Sequence, residues 1–129
     1  MNGIRYLLDT NAVIAIVNGN RELISRLNTA DLVAFSIISV VEFLSFSNLS
    51  TTDKLVFDEI VSEGSVINLS YDDRSLVDSI AKVRASYRLK MPDAILAATA
   101  LTNDCTLITN DREFRKVPEL SILNFNLQI

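Results

Sequence analysis

Short apolar runs alternate along the chain with longer stretches in which apolar residues recur every three or four positions. The short runs lie at residues 6–8, 33–35, 66–69 and 106–109, and a fifth lies at 122–125. Brief runs that are apolar almost throughout are typical of parallel strands covered on both faces of a sheet. We therefore predict four buried strands, with the fifth run at an edge of the sheet.

Two of the longer stretches carry helical spacing. Leu76, Ile80, Val83 and Tyr87 lie three or four residues apart, and so do the apolar residues that follow Pro92. Strands that alternate with helices predict an α/β protein, a three-layer α/β/α sandwich around a central parallel sheet of four to five strands. A length of 129 residues is typical of one domain, so we expect a single domain over residues 1–129.

The residue types that the chain lacks exclude several chemistries. With no histidine and one cysteine, Cys105, it cannot form Ser–His or Cys–His catalytic groups, histidine metal sites or thiolate zinc sites. Its three glycines, at positions 3, 19 and 64, are too far apart for a P-loop or a dinucleotide-binding turn. Any catalysis must therefore use carboxylates, hydroxyls, lysine or arginine.

Cysteine content and the N-terminal sequence bear on the compartment. A single cysteine suits a reducing environment, and the first five residues lack the charged start and apolar core of a signal peptide. The longest apolar stretch, residues 33–46, is interrupted by Glu42 and is shorter than the ~20 residues that a membrane span needs. We expect a cytoplasmic protein with no membrane-spanning segment.

Two acidic residues come just after predicted strands. Asp9 closes the first strand, and Asp111 follows Thr109 at the end of the fourth. Ligands of open α/β sheets bind beyond the carboxyl ends of the strands, so both acids lie where a site is expected. A helix cap at residues 9–11 and a turn at residues 110–111 are the competing interpretations.

Two further acidic residues lie in helical, mostly apolar sequence. Glu42 stands within residues 37–44, where an ionised carboxylate is costly without a hydrogen bond or a cation. Its competing interpretation is a capping box over residues 39–42, in which the glutamate reaches back to the amide of Ser39. Asp93 follows Pro92 at a helix start, and we expect this helix to be central and to begin at the carboxyl edge of the sheet.

Convergence of these four acids would create a site made only of oxygen donors. Such donors select Mg²⁺ or Mn²⁺, because histidine and thiolate ligands are missing. An ion of this kind can polarise a phosphoryl oxygen and generate a hydroxide nucleophile.

Four stretches of the sequence, taken together and in this order, resemble the PIN-domain family, and in particular its VapC-type ribonuclease toxins. The stretches are LDTN at 8–11, SVVEF at 39–43, PDAILAATA at 92–100 and LITNDREF at 107–114. Each alone is too short to be specific, whereas the ordered set covers essentially the whole chain. The fold of this family is the three-layer sandwich predicted above.

The resemblance implies a metal site for Mg²⁺, with Mn²⁺ as an alternative ion. Its catalytic and metal-binding residues would be four acids: Asp9, Glu42, Asp93 and Asp111. Three polar residues would support them by hydrogen bonding: Thr10, Asn11 and Thr109. Glu113 would be an outer member of the site, or its fourth acid in place of Asp111.

The resemblance also implies an activity and partners. Proteins of this type cleave RNA by means of a metal-activated water and leave a 5′-phosphate; they dimerise, and a cognate antitoxin holds them inactive. We therefore expect a Mg²⁺-dependent endoribonuclease toxin that acts on RNA, binds an antitoxin and forms a homodimer. The alternative is a catalytically silent PIN fold kept as an RNA-binding or protein-interaction module, against which the presence of all four acids argues.

The formal net charge of −4 disfavours binding to RNA, but the charges are unevenly distributed. Seven acids and two bases lie between residues 53 and 78. Basic residues follow in two groups, which we expect to hold RNA phosphates: Lys82, Arg84, Arg88 and Lys90, then Arg112, Arg115 and Lys116. A solvated helix face is the competing interpretation of each group.

The expected dimer has one further indication in the sequence. Apolar residues are in surplus in the second quarter of the chain: Phe46, Leu49, Leu55 and Phe57. They fit either a dimer surface or the core.

Overall fold

A computed structural model describes residues 3–127, which contain a five-stranded parallel sheet with helices on both faces. The strands are β1 (Arg5–Leu8), β2 (Leu32–Ser36), β3 (Ser65–Ile67), β4 (Thr106–Ile108) and β5 (Ile122–Leu123). The helices are α1 (Thr10–Val17), α2 (Arg21–Leu27), α3 (Ile37–Leu44), α4 (Thr51–Glu63), α5 (Arg74–Tyr87) and α6 (Met91–Thr102). A short 3-10 helix, Arg112–Lys116, precedes β5.

The strand order places the first strand in the middle of the sheet. The order is β3-β2-β1-β4-β5, and every neighbouring pair is parallel. In this register Leu8 lies opposite Phe35 on one side and Ile108 on the other. The residues that follow these three therefore leave the sheet at the same level, at its carboxyl edge.

Alternation along the strands divides the core into two clusters, one on each face of the sheet. Leu7 belongs to the cluster under α5 and α6, whereas Tyr6 and Leu8 belong to the cluster under α1, α2, α3 and α4. Successive strand side chains point to opposite faces, so both faces of β1 must be covered. This arrangement confirms the predicted three-layer α/β/α sandwich.

The third and fifth strands are shorter than the sequence pattern predicts. β3 ends at Ile67, and Val66 and Leu69 are exposed. β3 pairs only with β2, so it is an edge strand. The prediction that both of its faces are covered is wrong. β5 is the opposite edge, as expected, but ends at Leu123, after which the Asn110 side chain accepts a hydrogen bond from the N–H of Phe125.

Within residues 3–127, none of the helices combines the length and the apolar character that crossing a membrane requires.

Candidate active site

Asp9 lies at the carboxyl end of the central strand and is almost fully buried, with 5% of its surface exposed. Its Oδ1 accepts a hydrogen bond of 2.8 Å from the N–H of Ala12, so Asp9 is the N-cap of α1. Its Oδ2 accepts a hydrogen bond from the hydroxyl of Thr109. The capping and the site interpretations of Asp9 are thus compatible, because the two carboxylate oxygens have different partners.

Thr109 joins the ends of the two middle strands. It is fully buried at the end of β4, and its Oγ1 also accepts a hydrogen bond of 3.0 Å from the N–H of Asp111. One hydroxyl therefore donates to Asp9 and accepts from Asp111, and this fixes the two strand-end acids relative to each other. The hydrogen-bonding role that the resemblance implies for Thr109 has this geometric basis.

Asp111 begins the short 3-10 helix. It is exposed, and its Oδ1 accepts a hydrogen bond of 2.9 Å from the N–H of Glu113. The carboxylate of Glu113 forms an ion pair with Lys116, one helical turn further along. Glu113 thus has a cation of its own on the protein surface, whereas Asp111 has none among residues 3–127.

Glu42 lies on α3 and faces α1. Its Oε1 accepts a hydrogen bond of 2.8 Å from the hydroxyl of Thr10. The alternative of a capping box over residues 39–42 is wrong, because α3 begins directly after β2 with Ser36 as its N-cap. Ser39 is consequently buried inside the helix, and Glu42 lies too far along α3 to reach the cap.

Asp93 is carried by the first turn of the most deeply buried helix. Every residue from 94 to 100 is buried, so α6 is central, as predicted. Lys90 is the N-cap of α6 but provides no side-chain capping bond, and Pro92 lies in the first turn. Asp93 itself is half-buried. This position puts its carboxylate at the N-terminal end of the helix dipole.

Two of the other candidate acids are close enough to Asp9 to affect its pKa. Burial raises the pKa of Asp9, and the negative charges of Asp111 and Glu42 raise it further, while hydrogen bonds from Thr109 and Ala12 oppose the shift. The close approach of carboxylates therefore makes the ionised site costly in the absence of a cation.

The pKa of Asp93 is perturbed in the same direction. Burial is the largest cause, followed by repulsion from Asp111, Glu113 and Glu42, and the charge of Lys90 opposes the shift. Asp111 and Glu42 thus raise the pKa of both Asp9 and Asp93. We call Asp9, Glu42, Asp93 and Asp111 the acidic cluster.

The donor set of the acidic cluster suits a hydrated divalent cation. Residues 3–127 contain no group of three acidic or cysteine side chains close enough to enclose a metal ion. Mg²⁺ does not require such a cage, since it keeps several waters and binds through one or two carboxylates. Oxygen donors that repel one another therefore fit this ion in a partly hydrated form.

Asn11 is the supporting residue whose side chain lies apart from the acids. It is exposed, has no hydrogen-bond partner among the described residues, and lines a groove beside the cluster. Thr10, in contrast, contacts Glu42 directly.

Sequence reasoning missed Asn124. Its side-chain Nδ2 donates to the carbonyl of Thr109 at 2.7 Å and holds the loop that carries Asp111. A polar residue within the otherwise apolar run at 122–125 was the available signal.

The predicted phosphate-binding residues all lie on exposed surface, and one of them, Lys90, is close to an acid of the cluster. Lys90 is close enough to Asp93 to lower its pKa, against the larger effects that raise it. Arg88 follows α5 in a left-handed conformation (φ 55°), which turns the chain toward α6. The remaining predicted phosphate-binding residues are exposed on α5 and the 3-10 helix: Lys82, Arg84, Arg112, Arg115 and Lys116.

The fold and the acidic cluster together define a class: α/β proteins with carboxylates gathered at the carboxyl edge of a parallel sheet. The chain belongs to the PIN-domain family, whose model matches residues 6–120. This match confirms the resemblance drawn from the four sequence stretches. The family is one of nucleases, which supports hydrolysis of nucleic acid.

Several solved structures are similar to this chain over nearly its whole length. VapBC2 from Rickettsia felis, bound to a DNA fragment from its promoter, is 21% identical with a TM-score of 0.81, covering 95% of this chain and 100% of that one. A toxin–antitoxin complex from Klebsiella pneumoniae is 28% identical with a TM-score of 0.74, covering 92% and 95%. DNA-bound VapBC from Salmonella typhimurium is 20% identical with a TM-score of 0.79, covering 94% and 98%. None of the curated proteins compared with the chain matches it significantly.

Proposed function

We propose that this protein is a Mg²⁺-dependent endoribonuclease in which the acidic cluster binds the metal and cleaves RNA phosphodiester bonds. The observation that carries the proposal is the hydrogen bonding of Thr109 to both Asp9 and Asp111, which gathers these two acids at the carboxyl edge of the sheet. The charges of Asp111 and Glu42 raise the pKa of Asp9, and they raise that of Asp93 as well. Membership of a nuclease family supports it. Mn²⁺, which accepts the same oxygen donors, is an alternative ion.

The chain's own residues have distinct roles in this proposal. When bound, Mg²⁺ would polarise a phosphoryl oxygen of the RNA and lower the pKa of a bound water. Asp9 and Asp93 would be the direct ligands, as the family resemblance implies, and secondary structure holds both of them in place. Thr109 holds one oxygen of Asp9 toward β4, and Thr10 orients Glu42. Asp111 is preferred to Glu113 as the fourth acid, since Glu113 is already paired with Lys116.

We further propose that the chain is the toxin of a toxin–antitoxin pair. The similar structure from Klebsiella pneumoniae is a toxin–antitoxin complex, and the chain covers 95% of the matched chain in it. A protein antitoxin would then be its inhibitory partner, and RNA its substrate.

Fewer apolar residues are exposed for the proposed homodimer contact than the sequence indicated. Phe57 is core and Leu49 packs against the core, which leaves Phe46 and Leu55 exposed. Light scattering across a range of protein concentrations tests the dimer: a constant monomer mass would exclude it.

A catalytically silent module that binds RNA or protein remains the second candidate function. Exposed basic residues on α5 and the 3-10 helix favour it as much as they favour catalysis. The two candidates differ in whether bound RNA is cut.

The deciding experiment incubates antitoxin-free protein with a single-stranded RNA pool and Mg²⁺, then repeats the reaction with EDTA. We expect cleavage that EDTA stops, and loss of at least a hundredfold in rate for Asp93→Asn. The control is Asp58→Asn, which removes an exposed acid on α4 and should leave the rate unchanged. Full activity of Asp93→Asn, or none in the native chain, would refute the proposed site.

A further inference from the structure

A neutral groove lies directly beside the acidic cluster. Its volume is ≈ 430 Å³, within the roughly 300–1,000 Å³ typical of small-ligand pockets. One wall is a face of α1 and the other is the segment after β5, around Phe125 and Leu127. No charged side chain lines the groove, in contrast to the acids next to it.

The wall formed by α1 has an amide at each end and apolar side chains between them. Asn11, Ile14, Ala15 and Asn18 recur at helical spacing and share one face of α1. Asn11 and Asn18 are seven positions apart, which corresponds to about 10 Å along the helix. A planar group that lies against the apolar middle would have a hydrogen-bonding amide at either edge.

The two amides of this wall are available to a ligand. Neither the Asn11 nor the Asn18 side chain has a hydrogen-bond partner within residues 3–127. In contrast, the other two asparagines of the groove are both engaged: Asn20 donates to the carbonyl of Asn126, and Asn110 pairs twice with the backbone of Phe125. The engaged asparagines hold the groove in shape, while the unpaired ones face it.

We propose that this groove holds one base of the RNA, next to the phosphate that the acidic cluster cleaves. The inference rests on the proposed ribonuclease function. Asn11 comes two residues after Asp9, and Asn110 directly precedes Asp111, so the groove begins where the acids end. Unstacked RNA bases are recognised by hydrogen bonds to their edges and contact with their faces, which an amide and apolar side chains provide. Asn18 is then a specificity residue rather than a catalytic one.

The test compares Asn18→Ala with the native chain on short RNAs that carry a single abasic nucleotide at each position near the cut. In the native chain, the abasic substitution at one flanking position should raise KM about fivefold or more, the discrimination expected of one amide–base pair. Asn18→Ala should raise KM on the intact RNA and should have no further effect on the RNA that is abasic at that position, because the base that Asn18 contacts is already missing there. Such non-additivity marks a direct contact.

Asn28→Ala is the matched control, because Asn28 is an exposed asparagine at the end of α2, before β2 and so away from the carboxyl edge. It should behave as the native chain does. Additive effects of Asn18→Ala and the abasic nucleotide would overturn the inference. So would weaker inhibition by the antitoxin with unchanged RNA kinetics, since the groove would then be a protein-docking surface. Absence of RNA cleavage by the native chain would instead refute the proposed function itself.

Discussion

Thr109 connects the two acids that follow the middle strands. Its hydroxyl donates to Asp9 and accepts from the N–H of Asp111, so both hydrogen-bonding capacities of this buried group are used. Serine retains the hydroxyl, and valine keeps the shape without it. The two substitutions therefore separate hydrogen bonding from packing.

We expect Thr109→Val to lower the free energy of unfolding by about 1–3 kcal/mol, because the buried Asp9 carboxylate loses a donor. Thr109→Ser should cost about 0.8 kcal/mol, the value of one buried methyl group. Urea denaturation at neutral pH measures both values. RNA cleavage should fall in the valine variant and persist in the serine variant. Equal losses of stability in the two variants would contradict the hydrogen-bonding role.

The raised pKa of Asp93 predicts how stability depends on pH in metal-free protein. A carboxyl whose pKa is raised by folding contributes its full stability below the ordinary value of 3.8 and loses it as pH rises through the raised pKa. At pH 7 and in EDTA, Asp93→Asn should therefore be more stable than the native chain. The difference should shrink as pH falls toward about 4.

Thermal unfolding at pH 7, 6, 5 and 4 checks this dependence, with Asp58→Asn as the control. Mg²⁺ should stabilise the native chain more than Asp93→Asn, since a ligand stabilises the state that binds it. A native-to-variant difference that does not change with pH would show that Asp93 is not perturbed by its neighbours.

The four acids could be proposed from sequence because each stands at a strand end or in an apolar helix. The sequence could not show that the two carboxylate oxygens of Asp9 have different hydrogen-bond partners, Ala12 and Thr109. The capping box at Ser39 was wrong because α3 starts immediately after β2, with Ser36 as its cap. A capping motif in the sequence is compatible with several positions for the start of a helix. The residue at which the preceding strand ends determines which of these positions is used.

At the scale of elements, α6 is the helix that positions Asp93. Its residues 94–100 are all buried, four of them alanine, and the helix packs against β4 on one side and α5 on the other. Small side chains permit this close approach. Its central place was predictable, because a helix with so few polar residues must be covered on most sides.

Overpacking of α6 should disturb the position of Asp93. We expect Ala97→Leu to destabilise the protein by about 1–3 kcal/mol, because Ala97 is fully buried and larger side chains strain a packed core. Ala85→Leu on exposed α5 surface is the control and should change stability by less than about 0.5 kcal/mol. Denaturation midpoints measure both, and a harmless Ala97→Leu would show that α6 is loosely packed.

The middle strands were predicted more accurately than the edges. β1 and β4 are apolar and buried after their first residues, Arg5 and Thr106, because both of their faces are covered, whereas every residue of β3 and β5 is at least partly exposed. An edge strand is defined by its neighbours, and those come from distant parts of the sequence. Pattern alone therefore located these strands without setting their ends.

At the scale of the whole molecule, charge is separated between an acidic cluster and exposed bases. If Arg84 and Arg88 contact RNA phosphates, Arg84→Glu with Arg88→Glu should weaken binding and reduce the slope of log affinity against log salt by about 1.4, or 0.7 for each lost contact. Binding is measured in the Asp93→Asn background to prevent cleavage. The control is the double variant Arg26→Glu with Lys54→Glu, which changes the net charge by the same amount but at α2 and α4. Equal slopes for the two double variants would exclude a local contact.

The strand order also determines when the acidic cluster can assemble during synthesis of the chain. Asp9 and β1 are translated early relative to their neighbours, and β1 gains its second neighbour only when β4 has been translated. Thr109 and Asp111, which complete the surroundings of Asp9, are made about a hundred residues later. A nascent chain therefore carries Asp9 without its partners until β4 and the residues after it have been made, and the cell is not exposed to an assembled site before then.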